Sequence, residues 1–370
     1  MNGAIFGKER PLRTLCFVFT AWVLGCAGSH PTLPVPPPGK PTTTTIALGS
    51  CAHQERAQSF WAQIAAHKPE LFLFMGDNVY GDVRDHGKIA MPELGLAYAL
   101  LASHKEFQEF RKQVPILPTW DDHDYACNDC GAEFPLRADA EALFEQFWGV
   151  VSDDPRAMRP GIYFSQFHQS HGKRIQIIML DTRSFRSPLK PSPEREKRKG
   201  FERYMPSDDP EQDMLGPEQW RWLEMELEKK ADLRIVVSGI QILSEDHGYE
   251  CWRNLPQERR KILDLLAKNP GGVPTLMASG DRHMGSVYRK DYKGSRLYEL
   301  TSSSLNIASS LRPKGFNAPQ ISPHFPQTNY GLIQIHWPSQ TLYLLLYATT
   351  GELLHRQDLS LTEIGGAGPP

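Results

Sequence analysis

The chain has 370 residues, with 43 acidic and 41 basic side chains and a formal net charge of −2. That length buries a large core without disulfides. The near-neutral balance excludes both a global basic field for nucleic acid and an acidic solvating tail, so no nucleic-acid partner is indicated.

Residues 1–30 read as an export signal rather than as fold. Lys8, Arg10 and Arg13 form a basic start, residues 15–24 a short apolar run, and Gly25, Cys26, Ala27 and Gly28 a stretch of small residues. The run is too short to span a bilayer as a stable helix. Val23-Leu24-Gly25-Cys26 resembles a bacterial lipobox, in which cleavage before Cys26 leaves its thiol to carry lipid and tether the protein to a membrane. A plain signal peptide cut a few residues later is the alternative. Residues 31–43 are rich in Pro and Thr and read as an extended spacer. The expected organisation is a signal over 1–30, a linker over 31–43 and an enzyme domain over 44–362, in the periplasm or cell envelope.

The body alternates strand and helix. Residues 44–48 read as a strand ending at Gly49-Ser50-Cys51, and 55–67 as a helix by its apolar period. Leu71-Phe72-Leu73-Phe74-Met75 is a strand buried on both faces, broken by Gly76 and followed at once by Asp77-Asn78-Val79-Tyr80. Residues 89–111 look helical. The segment 114–120 is a strand that Pro115 and Pro118 make irregular or confine to an edge, and it delivers Asp121-Asp122-His123-Asp124. A helix over 138–148 precedes a strand pair at 162–167 and 174–180, which ends at Asp181-Thr182-Arg183. The charged, Pro-rich stretch 187–215, with Arg195 and Lys197, reads as a surface loop or a lid. Pro217 opens a helix to Lys230. Then come a strand at 234–243, a helix at 256–267 and a short strand at 274–278 that ends at Ser279-Gly280-Asp281-Arg282-His283. Segments 296–300, 330–337, 341–347 and 352–359 alternate like antiparallel strands. The class is α/β, with the chemical loops at one sheet edge, where open α/β sheets bind ligands.

Five acidic or thiol positions follow strands: Cys51, Asp77, the Asp121/Asp122/Asp124 group, Asp181 and Asp281. One Asp after a strand is an ordinary turn former. Several at one edge concentrate negative charge, which a cation would have to neutralise, and carboxylates can bridge two ions. Cys127 and Cys130 lie in the third loop as a redox pair, half a zinc site or a local disulfide; an oxidising compartment favours the disulfide. Cys251 reads as a buried free thiol.

Gly-Asp, Asp-His-Asp and Gly-Asp-x-His segments in this order resemble the metallophosphoesterases. The departures from the general pattern narrow the resemblance. Ser50-Cys51, Asp77 to Tyr80, Trp120 to His123, Leu180 to Arg183 and Ser279 to His283 resemble the alkaline phosphatase D (PhoD-like) branch, in a short form. The resemblance covers about residues 44–350. It implies an α/β/β/α sandwich of two mixed sheets flanked by helices, Fe³⁺ with Ca²⁺, and hydrolysis of phosphate monoesters or diesters by in-line attack of a metal-bound hydroxide. Zn²⁺ or Mn²⁺ stays open, because sequence does not select the metal. On this resemblance Asp77 bridges two ions, while Cys51, Tyr80 and Asp281 or His283 hold the iron. Asp122 and Asn128 lie on the calcium side. His123 is the expected proton donor, Arg183 the expected phosphate clamp and Arg186 a weaker one. A phospholipase D-like diesterase is the second reading. A surface lipoprotein that binds phosphate or calcium without turnover is the third.

Overall fold

Two six-stranded sheets pack face to face, with strand orders β12-β11-β10-β1-β2-β3 and β4-β5-β6-β7-β9-β8 in the computed structural model. It describes residues 42–83, 91–193, 203–245, 247–309 and 319–364. The expected signal with Cys26, most of the spacer and the basic stretch around Arg195 lie outside them.

The first sheet is built from β1 (Thr43–Gly49), β2 (Leu71–Met75), β3 (Ile116–Thr119), β10 (Asn329–His336), β11 (Thr341–Ala348) and β12 (Leu353–Ser360). The second contains β4 (Phe164–Ser170), β5 (Lys173–Met179), β6 (Leu233–Ser238), β7 (Thr275–Ser279), β8 (Gly285–Tyr292) and β9 (Ser295–Ser302). The helices are α1 (Phe60–Ala66), α2 (Pro92–Ser103), α3 (Lys105–Gln113), α4 (Arg137–Trp148), α5 (Gly216–Leu227) and α6 (Pro256–Lys268). The expected sandwich of two mixed sheets with flanking helices is the observed one.

Strand alternation divides the interior into three apolar layers. Ile46, Leu48, Leu71, Leu73 and Met75 point between the sheets and meet Ile175, Ile177, Met179, Ile235 and Leu276. Their neighbours Ala47, Phe72 and Phe74 face the other way, onto a layer shared with α1, α2, α3 and α4. On the second sheet Ile178, Val236 and Met277 do the same toward α5 and α6. Both faces of the central strands are therefore dry, which is why Leu71–Met75 is continuously apolar rather than alternating with polar residues. β3 pairs only with β2 and carries Pro118 at the sheet edge, where a missing N–H leaves no ladder bond unmade.

Several elements differ from the sequence expectation. The helix expected over 89–111 is two, α2 and α3, because His104 is extended (φ −69°, ψ 121°) and its Nε2 meets the Gln54 carbonyl at 2.7 Å. The helix expected from 55 begins only at Phe60. Before it, Asn306 Oδ1 accepts the His53 amide at 2.7 Å and Gln58 donates to the His53 carbonyl at 3.2 Å, holding a loop. The strand expected to 243 ends at Ser238, and the buried Glu299 carboxylate takes the Ile242 and Leu243 amides at 2.9 and 2.6 Å. β8 was not anticipated, and β9 runs parallel to β7 although antiparallel to β8.

β1, β2 and β3 share one direction, as do β5, β6 and β7. Their C-terminal ends meet across the sandwich. Thr119 donates to the Leu180 carbonyl at 2.8 Å, and the loops are in close approach at Gly280, where a Cβ would lie 2.6 Å from the Met75 carbonyl oxygen. No larger residue fits there without parting the loops.

Trp61 anchors the first helical layer. It is fully buried against the rings of Phe60, Phe72, Phe74, Phe107 and Phe110, with centroids 4.7–5.8 Å away. Trp61→Ala is expected to lower unfolding free energy by about 3–5 kcal/mol, measured by denaturant titration. A loss under about 1 kcal/mol would show that this layer is not a stability core.

Candidate metal centre

Four loops carry the expected residues to one cleft. Cys51 follows β1, Asp77 follows β2, Asp121–Asp124 follow β3, and Asp281 and His283 follow β7. Cys51 Sγ lies 3.2 Å from Asp77 Oδ2, the Tyr80 hydroxyl 3.2 Å from the same oxygen, and that hydroxyl 3.0 Å from His283 Nε2. Potential ligand atoms converge in four overlapping groups: Cys51/Asp77/His283, Asp77/Asp122/His123, Asp121/Asp122/Asp281 and Asp122/Asp129/Glu250. Asp77 belongs to two of these and Asp122 to three, so the groups form a continuous row.

The local backbone is shaped for this convergence. Gly76 has φ +96°, and a Cβ on it would stand 2.5 Å from Asp121 Cβ. Cys51, Asp77, Asp129, Asp281 and His283 all adopt positive φ, between 48° and 65°. Left-handed conformation in non-glycine residues costs of order 1–3 kcal/mol each and is concentrated where function demands it.

Electrostatics show how loaded the cleft is. Burial first, then the Cys51 and Asp122 charges, push the Asp77 carboxyl well above its usual range. Burial pushes the Cys51 thiol up to about 12 and Asp281 up to about 7. Burial also raises Asp121, against the pull of Arg183. Asp122 goes the other way: burial opposes its ionisation, but His123 and Arg183 more than offset that. For His123, burial disfavours the charged form, yet Asp122, Asp77 and a 2.6 Å contact from Nδ1 to Asp82 Oδ2 hold it protonated. Burial lowers His283 to about 4, leaving a neutral imidazole.

The donor set fits metal ions. Asp121 Oδ2, Asp122 Oδ1 and Asn78 Oδ1 are buried without a hydrogen-bond partner, an expensive state for a polar atom unless a ligand satisfies it. Thiol, phenol and imidazole side chains sit at one end of the row, and carboxylates alone at the other, beyond Asp122. The first set suits a transition ion and the second a hard cation.

Three expectations are corrected. Arg183 is fully buried; its Nε and Nη2 bind Asp121 Oδ1, Nη1 donates to the Cys130 carbonyl, and Nη2 lies 2.7 Å from Glu250. Arg186 is also fully buried and donates to the Asp129 and Ser187 carbonyls. Arg186 Nε has no hydrogen-bond partner among the described residues, but neither side chain has any exposure, so neither is placed to clamp a substrate. Asn128 is exposed, whereas its half-buried neighbour Asp129 converges with Asp122 and Glu250. Asp181 accepts the Arg183 and Ser184 amides and the Trp120 Nε1–H, tying down its own loop.

Other participants were not singled out from sequence. Asp82 meets His123, Glu250 meets both buried arginines, and Ser303 contacts Cys51 Sγ at 3.1 Å and accepts the His283 amide at 2.8 Å. Asp129 had a signal, lying within the same loop as Asn128, whereas Glu250 and Ser303 had none because their partners are distant in sequence. Cys127 and Cys130 form a disulfide in the loop whose Asp129 amide donates to Asp122 Oδ2. Cys251 is a buried free thiol, and His53 stacks on Tyr80 at 4.9 Å.

Asp77→Asn keeps the shape of the side chain and removes a buried charge. It is expected to retain less metal by elemental analysis. After chelation it should melt no lower than the wild type, and only the wild type should gain stability when metal is restored. Equal metal content in the two proteins would displace Asp77 from the centre of the row.

A family model described as PhoD-like phosphatase matches residues 46–330. No curated protein matches the sequence at a significant level. Among solved structures, PhoD superposes with TM-score 0.66 at 18% identity, over 88% of this chain and 73% of that one. Purple acid phosphatase PPD1 from yellow lupin superposes with TM-score 0.57 at 13% identity, over 88% of this chain and 55% of the other. GAP50, the anchor in the inner membrane complex of Plasmodium, gives 0.55 at 14% identity, over 86% and 89%. These structural likenesses show a shared fold, and the match over residues 46–330 places the chain in the PhoD-like phosphatase family.

Proposed function

We propose that the protein is a metal-dependent phosphoric ester hydrolase of the alkaline phosphatase/phosphodiesterase type, exported and held at the cell envelope by lipid on Cys26. The observation that carries the reading is the continuous row of ligand groups sharing Asp77 and Asp122 at the C-terminal ends of the strands. Cys51, Asp77, Tyr80 and His283 would hold Fe³⁺, and Asp77, Asp122 and Asp281 a second ion such as Ca²⁺, with Asp129 and Glu250 beyond; Zn²⁺ or Mn²⁺ is the alternative pair. Bound ions would neutralise the phosphoryl oxygens and supply a nucleophile at moderate pH.

The chain's own groups do the rest. Asp82 fixes the His123 ring through Nδ1, and Tyr80 packs on it with centroids 4.2 Å apart. A protonated imidazole held in this way can hand its proton to the departing ester oxygen. Ser303 steadies Cys51 and the His283 backbone from the opposite side. Arg183 shares its charge between Asp121 and Glu250, so these two carboxylates tolerate burial beside the row.

A chromogenic monoester and a diester, each with and without chelator, test the reading. Hydrolysis of at least one that stops on chelation is expected; no turnover of either by metal-loaded protein would overturn it, and preference for the diester would favour the phospholipase D-like form. His123→Ala should lower turnover by about 10²–10⁴-fold with metal content unchanged. Iron held by Tyr80 or Cys51 should colour the protein, and Cys26→Ser should release it from the membrane fraction.

A further inference from the structure

The burial of Arg183 and Arg186 leaves the outer side of a phosphoryl group to some other cation beside the row. Arg203 is not free either, since its Nη1 lies 2.9 Å from Asp129 Oδ2. Arg282 differs from all three. It stands between Asp281 and His283, two residues of the ligand row with left-handed backbones. Its guanidinium carbon lies 4.3 Å from the Tyr249 ring centroid. Tyr249 directly precedes Glu250, which belongs to the far ligand group. The guanidinium thus rests on the residue that precedes Glu250, while its own neighbour Asp281 joins Asp121 and Asp122 in a ligand group.

Stacking consumes only the face of a guanidinium and leaves its in-plane N–H donors for another partner. Arg282 Nε is buried and meets no hydrogen-bond partner among the described residues. The residue itself is half-buried, so a ligand in the cleft can reach it. A planar fork with free donors, held rigid by an aromatic ring beside a metal-type centre, matches two oxygens of a phosphoryl group.

We propose that Arg282, held on Tyr249, is the phosphate-binding residue of the cleft and grips the non-bridging oxygens of a phosphoryl group or of inorganic phosphate. The assignment rests on the phosphoesterase reading for its substrate class but not for its test. Arg282 binds and orients; the proton traffic stays with His123.

Orthophosphate binding to metal-loaded protein, measured by calorimetry, reads the clamp without turnover. Arg282→Gln is expected to weaken phosphate affinity by about tenfold to a hundredfold, with metal content and thermal midpoint unchanged. In the ester assay KM and the inhibition constant for phosphate should rise together. Arg282→Lys, which keeps a point charge and loses the fork, should recover part of the affinity. Wild-type affinity in Arg282→Gln overturns the proposal. Should that variant lose its metal, Arg282→Lys decides, and wild-type affinity there with metal retained overturns the fork. Wild-type protein that binds phosphate through Arg282 yet hydrolyses neither ester would refute the catalytic reading and leave the clamp standing.

Discussion

The structure depends on keeping Asp77, Asp121, Asp122, Asp281 and Glu250 together in one cleft. Carboxylates this close repel one another, and each also loses water as it is buried. The protein answers part of the charge itself. Arg183 is shared between Asp121 and Glu250, and Arg186 adds a second contact to Glu250 at 2.9 Å. His123 and Arg183 answer Asp122, but burial opposes ionisation of Asp77 and Asp281, and the orphaned oxygens of Asp121 and Asp122 leave room for a cation. Replacing a buried ionic cluster by apolar side chains is often neutral or stabilising, so its retention argues for ligand binding rather than for stability.

The fold makes this arrangement affordable. Three apolar layers stack through two sheets, and the polar loops gather at the C-terminal strand ends. Every strand that delivers a ligand is buried on both faces or closes a sheet edge, so it is a rigid platform. Strain at Cys51, Asp77, Asp129, Asp281 and His283 is carried by residues anchored directly to these strands or, for Asp129, by a disulfide-closed loop.

Arginine placement shows how burial changes the meaning of a residue. In sequence, Arg183 sits in a family-like Leu-Asp-Thr-Arg segment and Arg282 merely separates two expected ligands. In the folded chain Arg183 has no exposure and three protein acceptors to serve, while Arg282 rests on Tyr249 with Nε unused. The chemistry of a guanidinium is the same in both places. What differs is which carboxylates the packing sets beside it.

Local pattern alone marked the strands that deliver the ligand loops, though neither β8 nor the end of β6. Five apolar residues before Gly76-Asp77 announce a doubly buried strand with a polar exit, and the same design at Cys51, Asp122 and Asp281 marks one edge of chemistry. These signals are legible because a strand's burial and its terminating Gly lie within a few residues of one another. The break at His104 was not legible, since it depends on the Gln54 carbonyl 50 residues away. Nor were Asp129 in place of Asn128, the pairing of Glu250 with Arg183, or the freedom of Arg282. Those were decided by tertiary structure, because a side chain's role in a buried cleft is set by the charges and acceptors brought to it from distant parts of the chain.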